Sequence, residues 1–240
     1  MAAILAAGFT VCGMGALVPY ISLRVKRRLV PAIFFKIGAS MCFILTAGVS
    51  VLASSGAQFE QYKYLFLGVL LGEVSGLLGD YWLDMKDMHA AHHDAYVIAG
   101  FSSFHLGHVF YIAGLLRTYG ADWKRLAVIA GAGLALCGVT LLTEKPLKLK
   151  YGKFKGITAT YSVLFGMSLA ASLCSWFSGG RGLQPLVMSL GLFVFLLSDL
   201  VLSGTYFGEG KTRPIDYILN YAFYYGGQFM IALSLLATLS

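Results

Sequence analysis

The chain has 240 residues, of which 58% are hydrophobic and only 12% charged, and its mean hydropathy is +0.75. A water-soluble domain carries about 25% charged residues, so roughly half the charge needed to clothe a solvated surface is missing, which excludes a soluble globular domain and a disordered chain alike. The net charge of +7 does not indicate nucleic acid as a partner, because the basic residues stand in short runs between apolar segments, where they act as topology signals.

Crossing the hydrocarbon core takes about 20 apolar residues in helical form. The first such segment, 3–23, has no basic residue ahead of it and ends in Arg24, Lys26, Arg27 and Arg28, so it reads as a retained span and not as a signal peptide. Seven more follow at 29–54, 63–84, 95–116, 124–143, 156–177, 183–206 and 215–239. Turn and charge signals connect them, among them Ser54-Ser55-Gly56, Ser178-Gly179-Gly180-Arg181 and Gly208-Glu209-Gly210-Lys211. No connection is long enough to fold separately, so residues 1–240 read as one polytopic domain. The alternation of barrel strands is absent, which leaves an all-α bundle of about eight transmembrane helices. Placing the N-terminus outside puts twelve basic residues in cytosolic loops and five in outer loops, which predicts non-cytosolic N- and C-termini. Cys12, Cys42, Cys137 and Cys174 lie apart within apolar stretches and read as core residues. No internal repeat supports an inverted-repeat transporter.

An ionisable group at mid-membrane costs about 2.5 to 3.5 kcal/mol on insertion scales, so Lys36, Glu73, Asp80, His105, His108 and Asp199 carry a functional expectation by default. Gly68, Gly72 and Gly76 precede Asp80 at four-residue steps, which sets all four on one ridge and turns Asp80 into the bundle. Lys36, Asp80 and Asp199 lie at one depth near the cytosolic ends of three helices, where two carboxylates and an ammonium can pair. In the fourth span Gly100, Phe104, His108 and Tyr111 share a face; in the sixth, Tyr161 is level with Asp80; in the eighth, Tyr221, Tyr224, Tyr225 and Gln228 stand together. His89, His92, His93 and Asp94 fall in the loop after the third span, where histidines beside Asp84, Lys86 and Asp87 read as solvated and a metal site is the lesser alternative. No HExxH, GxSxG or phosphate-cradling glycine loop occurs.

In this order the polar motifs resemble the membrane lysoplasmalogenase family, also called YhhN, from about Lys36 to the end of the chain. The resemblance rests on Gly79-Asp80, on Gly100, Phe104, His108 and Tyr111, on Tyr161 and Met167, on Ser198-Asp199, and on Tyr224-Tyr225-Gly226-Gly227-Gln228. The family's lysine is commonly followed closely by proline, whereas Ile37-Gly38-Ala39 follows Lys36 here, and Asp84 and Glu73 stand where apolar or small residues are expected. The resemblance implies an eight-helix integral membrane hydrolase without metal or other cofactor. Its substrate is a lysoplasmalogen, whose sn-1 vinyl ether is cleaved to a fatty aldehyde and glycerophosphoethanolamine or glycerophosphocholine.

Vinyl ethers hydrolyse by protonation at carbon, and water attacks the resulting oxocarbenium ion, so the site needs an acid and a second group that stabilises cation and activates water. Two carboxylates in unlike protonation states serve, as they do in glycosidases. Asp80 is expected as the acid and Asp199 as base or stabiliser, with Lys36 neutralising one of them. Tyr224, Gln228 and His108 would position water and the vinyl ether, supported by Tyr111, Tyr161, Ser198 and Tyr225, and the headgroup would meet Lys145 to Lys155 at the cytosolic interface. The membrane would be the endoplasmic reticulum in a eukaryote or the inner membrane in a bacterium. Two alternatives use the same polar residues: a metal-dependent, ceramidase-like intramembrane hydrolase with Asp80, His105, His108 and the loop histidines His89, His92 and His93, and a non-catalytic lipid transporter or sensor.

Overall fold

Eight apolar segments joined by short polar connections can satisfy their backbone in lipid only as helices packed side by side. The computed structural model describes residues 1–178, 181–208 and 213–239; the expected turns at Gly179-Gly180 and Glu209-Gly210-Lys211 lie outside the described residues. The helices are α1 (Ala2–Val25), α2 (Leu29–Leu52), α3 (Gly56–Met88), α4 (His93–Tyr119), α5 (Trp123–Leu142), α6 (Lys155–Ser178), α7 (Leu183–Phe207) and α8 (Pro214–Ser234). Short 3₁₀ turns precede α4 and α6 and follow α8.

Seven of these helices are long and apolar enough to cross a membrane. The eighth expected span, α8, has 21 residues, enough length at about 1.5 Å each, but Asp216, Tyr217, Asn220, Tyr221, Tyr224, Tyr225 and Gln228 lower its hydropathy. Most of these polar side chains are buried against neighbouring helices and not turned to lipid. The third helix departs most from its expected bounds. It starts seven residues before 63 at a capping box, in which Ser55 and Gln58 each satisfy the other's backbone N–H, and it continues to Met88. Hydropathy marks the apolar stretch, and the polar turns at either end remain helical.

Consecutive helices pair as antiparallel hairpins, and the pairs close into a ring in the order α2, α3, α4, α6, α7, α8. The first helix leans on α2 and α8 from outside, and α5 packs chiefly on α6. Glycines permit the closest crossings: a Cβ on Gly68 would stand 2.6 Å from the Phe110 carbonyl oxygen, and one on Gly227 2.7 Å from the Gly191 carbonyl oxygen. At the end rich in basic residues, the connection 143–154 folds back on α7. Lys150 N–H donates to the Phe207 carbonyl at 2.8 Å, Leu149 and Tyr151 are buried, and the Tyr151 ring meets Phe207 edge-on at 5.0 Å. Glu144 ties this connection together by accepting from Tyr151 N–H at 3.3 Å and Lys155 Nζ at 2.6 Å.

Candidate active site

Lys36 lies seven residues into α2, and Asp80 and Asp199 each lie eight residues from the ends of α3 and α7. All three therefore sit about 10 to 12 Å inside the basic end of the bundle. The shared depth is as the sequence indicates, but the pairing differs. Lys36 Nζ stands between Asp80 Oδ1 at 3.3 Å and Asp84 Oδ1 at 3.1 Å, and also donates to the Asp80 carbonyl at 3.2 Å. Asp199 makes no ion pair with Lys36 among the described residues; its Oδ2 accepts from Tyr161 Oη at 2.8 Å. The expected triad of Lys36, Asp80 and Asp199 is thus a triad of Lys36, Asp80 and Asp84. Asp84 is buried and not solvated beside the loop, because α3 continues one helical turn beyond it.

Four helices hold the charged cluster. Asp80 Oδ2 accepts from Ser40 Oγ at 2.7 Å, Tyr224 Oη at 3.0 Å and Tyr225 Oη at 3.3 Å. Asp84 Oδ1 also accepts from Arg24 Nη1 and Tyr20 Oη, both at 3.2 Å, and Tyr20 Oη in turn accepts from Tyr221 Oη at 2.7 Å. The rings of Tyr20 and Tyr221 face the Lys36 ammonium at 5.7 and 5.6 Å. Such a set tolerates burial because each charge has an opposite partner and further hydrogen bonds, although Arg24 Nε is buried without a partner.

Asp199 belongs to a second, sparser cluster. His108 lies 3.4 Å from Tyr161 Oη through Nε2 and 2.9 Å from Ser168 Oγ through Nδ1. Ser168 gives its single proton to the Phe165 carbonyl at 2.8 Å, so its oxygen accepts from His108 Nδ1–H and a neutral His108 is left with a bare Nε2. Tyr161 can therefore turn its proton to either side.

A cavity of about 50 Å³ separates the clusters and is lined by Lys36, Asp80, Phe104, Tyr161, Phe195, Ser198, Asp199, Tyr206, Asn220 and Tyr224. Asp199, Tyr161, Phe101, Leu202 and Tyr206 also line a larger, predominantly apolar cleft of about 390 Å³ among α5, α6, α7 and the 143–154 connection. A third cavity, about 480 Å³, opens at the basic end beside Arg24, Lys86, Asp87, Lys150 and Lys153 and shares Tyr206 with the other two.

The remaining sequence-indicated residues fall around this centre. Ser198 accepts from Asn220 Nδ2 at 2.9 Å. Tyr111 packs on Gly72 and approaches Gln228 at 3.4 Å, and Gln228 approaches Tyr224 at the same distance. His105 contacts the Phe101 carbonyl and Thr160 and not the aspartates. Among the described residues no three His, Cys, Asp or Glu side chains come together in a group able to hold a metal, so the ceramidase-like alternative lacks a donor set there. Sequence reasoning missed Ser40, Asp84 and Asn220, although each stands four residues from a residue it singled out: Lys36, Asp80 and Tyr224. It also missed Tyr20 and Arg24, which lie on α1, before the stretch that carries the resemblance.

A family model described as YhhN family matches residues 28–235. No curated protein and no solved structure matches the chain.

Proposed function

Because the chain belongs to the YhhN family, and because two intramembrane carboxylates in unlike surroundings face one small cavity, we propose that it hydrolyses the sn-1 vinyl ether of lysoplasmalogens. The observation that carries this reading is that Asp199 lines both the apolar cleft and the small cavity that Asp80 and Lys36 also line, while Tyr206 lines these two and the basic vestibule. An amphiphile with one tail and a phosphate headgroup fits that order, with the tail in the cleft, the headgroup near Arg24, Lys150 and Lys153, and the alkenyl oxygen between them.

Asp199 acts as the acid and Asp80 as the charged stabiliser, the reverse of the assignment expected from sequence. Asp80 faces an ammonium and accepts from three hydroxyls, a setting for a carboxylate, whereas Asp199 faces one phenol and no cation among the described residues. Protonated Asp199 can donate to Tyr161 Oη while Tyr161 turns to His108 Nε2; ionised Asp199 accepts from Tyr161 instead. Tyr161 thus has a partner in both states. The alkene π pair takes the Asp199 proton at the carbon remote from oxygen, leaving an oxocarbenium ion at the oxygen-bearing carbon, which Asp80 stabilises across the cavity. Water adds to that carbon and returns a proton to Asp199. The hemiacetal then collapses to a fatty aldehyde and the glycerol hydroxyl, and Asp199 ends as it began.

The test is purified protein in detergent with a lysoplasmenyl lipid and its saturated ether analogue, assayed for aldehyde. Aldehyde is expected from the vinyl ether alone. Asp199→Asn and Asp80→Asn, in protein that melts like wild type, are expected to lower kcat/KM by about 10²-fold or more. Near-normal turnover in either variant sinks the pair.

A further inference from the structure

The apolar cleft contains several hydroxyls, and three of them are turned back on their own helix. Thr140 and Thr143 donate to the Leu136 and Val139 carbonyls, and Ser162 donates to the Thr158 carbonyl. Thr158 differs: it lines the cleft, is only 4% exposed, and its Oγ1 has no hydrogen-bond partner in the protein. A helical threonine normally returns its hydroxyl to a carbonyl three or four residues earlier. For Thr158 the carbonyl four residues back belongs to Phe154, at the end of the 3₁₀ turn Gly152–Phe154. A buried hydroxyl without a partner is unfavourable, and the more so in a bundle surrounded by lipid.

Thr158 lies one helical turn from Tyr161, about 4.5 Å along α6 towards the basic end. It stands between the group that touches Asp199 and the vestibule that holds Lys150 and Lys153. The cleft adjoins the vestibule at this end, where both are lined by Tyr151, Tyr206 and Phe207, so a ligand with its tail deeper in the cleft and its headgroup in the vestibule has its glycerol at the level of Thr158; the middle carbon of that glycerol carries a free hydroxyl in a lysolipid. We propose that Thr158 Oγ1 hydrogen-bonds that hydroxyl and so selects lipids that are unesterified at the second glycerol carbon. The inference rests on the lysolipid reading of the site, but not on turnover.

The experiment measures binding of two non-cleavable ligands to the full chain in detergent: a saturated 1-O-alkyl lysophospholipid and its 2-deoxy counterpart. Wild type is expected to bind the hydroxylated ligand about three- to tenfold more tightly, the range of one net hydrogen bond. Thr158→Val should bind both alike with an unchanged or raised melting temperature, and Thr158→Ser should restore the preference. A preference that survives Thr158→Val, no preference in wild type, or a melting temperature lowered by Thr158→Val would each overturn the role. Aldehyde formation is scored separately. The expected binding pattern without vinyl-ether cleavage leaves Thr158 as proposed and removes the hydrolase reading, whereas cleavage with the preference intact in Thr158→Val removes Thr158 alone.

Discussion

Two carboxylates depend on Lys36. With its ammonium present, Asp80 and Asp84 share a counterion at 3.3 and 3.1 Å; without it, two acids one helical turn apart face each other, and Arg24 remains only on the Asp84 side. Breaking a buried pair by deleting one partner costs about 3–5 kcal/mol, because the other charge is left uncompensated. Lys36→Met is therefore expected to lower the melting temperature in detergent sharply, and adding Asp84→Asn should recover part of the loss. A double variant no more stable than the single one would mean that Asp84 is not the second claimant on the ammonium. Glu73 stands apart from this set. It is fully buried on α3, and neither carboxyl oxygen has a hydrogen-bond partner. Between it and Asp80 lie the contacts Tyr111–Gln228 and Gln228–Tyr224, both 3.4 Å and too long for strong coupling. Glu73→Gln should accordingly leave turnover within about threefold of wild type. A loss comparable to that of Asp80→Asn would show the chain to be a working connection.

The glycine ridge of α3 is one sequence motif with two structural duties. At Gly68 an added Cβ would meet the Phe110 carbonyl oxygen at 2.6 Å and the Gly114 Cα at 2.9 Å, both backbone atoms that yield only if α3 and α4 separate. At Gly76 it would meet Gln228 Nε2 at 2.6 Å, the movable end of a side chain. Gly68→Ala should therefore cost about 1–3 kcal/mol of stability, while Gly76→Ala should melt closer to wild type and act instead by displacing Gln228 from Tyr224. Thermal melts of the two variants decide it, and equal losses would refute the distinction. The four-residue spacing made the ridge readable, and with it the inward aim of Asp80. The pairing of Lys36 was not readable, because depth along a helix follows from counting residues whereas azimuth across a ring depends on which helices touch. The connection 143–154 was equally opaque, since its order comes from contacts with Phe207 and from Glu144. The Lys155 ammonium bonded to Glu144 holds that carboxyl below its ordinary value. Its contribution is thus complete above the ordinary glutamate range and lost as pH falls through the lowered value. Glu144→Gln at neutral pH should mimic acidification and speed exchange of the Lys150 amide; unchanged exchange would show that Glu144 does not order this segment.

The whole bundle determines how the eighth helix is to be understood. Hydropathy alone singles out seven helices, an odd number that would put the termini on opposite sides of the membrane, whereas the ring needs α8 to close. Near its start α8 gives Tyr221 to Tyr20 and Asn220 to Ser198; near its end it gives Ser234 to Gln184, at the opposite end of the bundle. It therefore runs the full depth antiparallel to α7, and its Asn220, Tyr221 and Tyr224 line the small cavity while Tyr224 and Tyr225 hold Asp80. The low hydropathy of α8 follows from its place as an inner wall of the site, since an inward-facing polar residue is not exposed to lipid. This arrangement brings Met1 and Leu235 to the same end, away from the basic connections. The side itself is predicted by the twelve-to-five distribution of basic residues, which places both termini outside the cytosol. Single cysteines placed at each terminus and in the connection 143–154, in a variant with its four native cysteines replaced, should separate into two classes with a membrane-impermeant thiol reagent on sealed vesicles. Both termini are expected to react from the non-cytosolic side and the connection from the cytosolic side. Termini on opposite sides would mean that α8 does not cross, and the cavity between Asp80 and Asp199 would then lose the wall that carries Tyr224 and Tyr225.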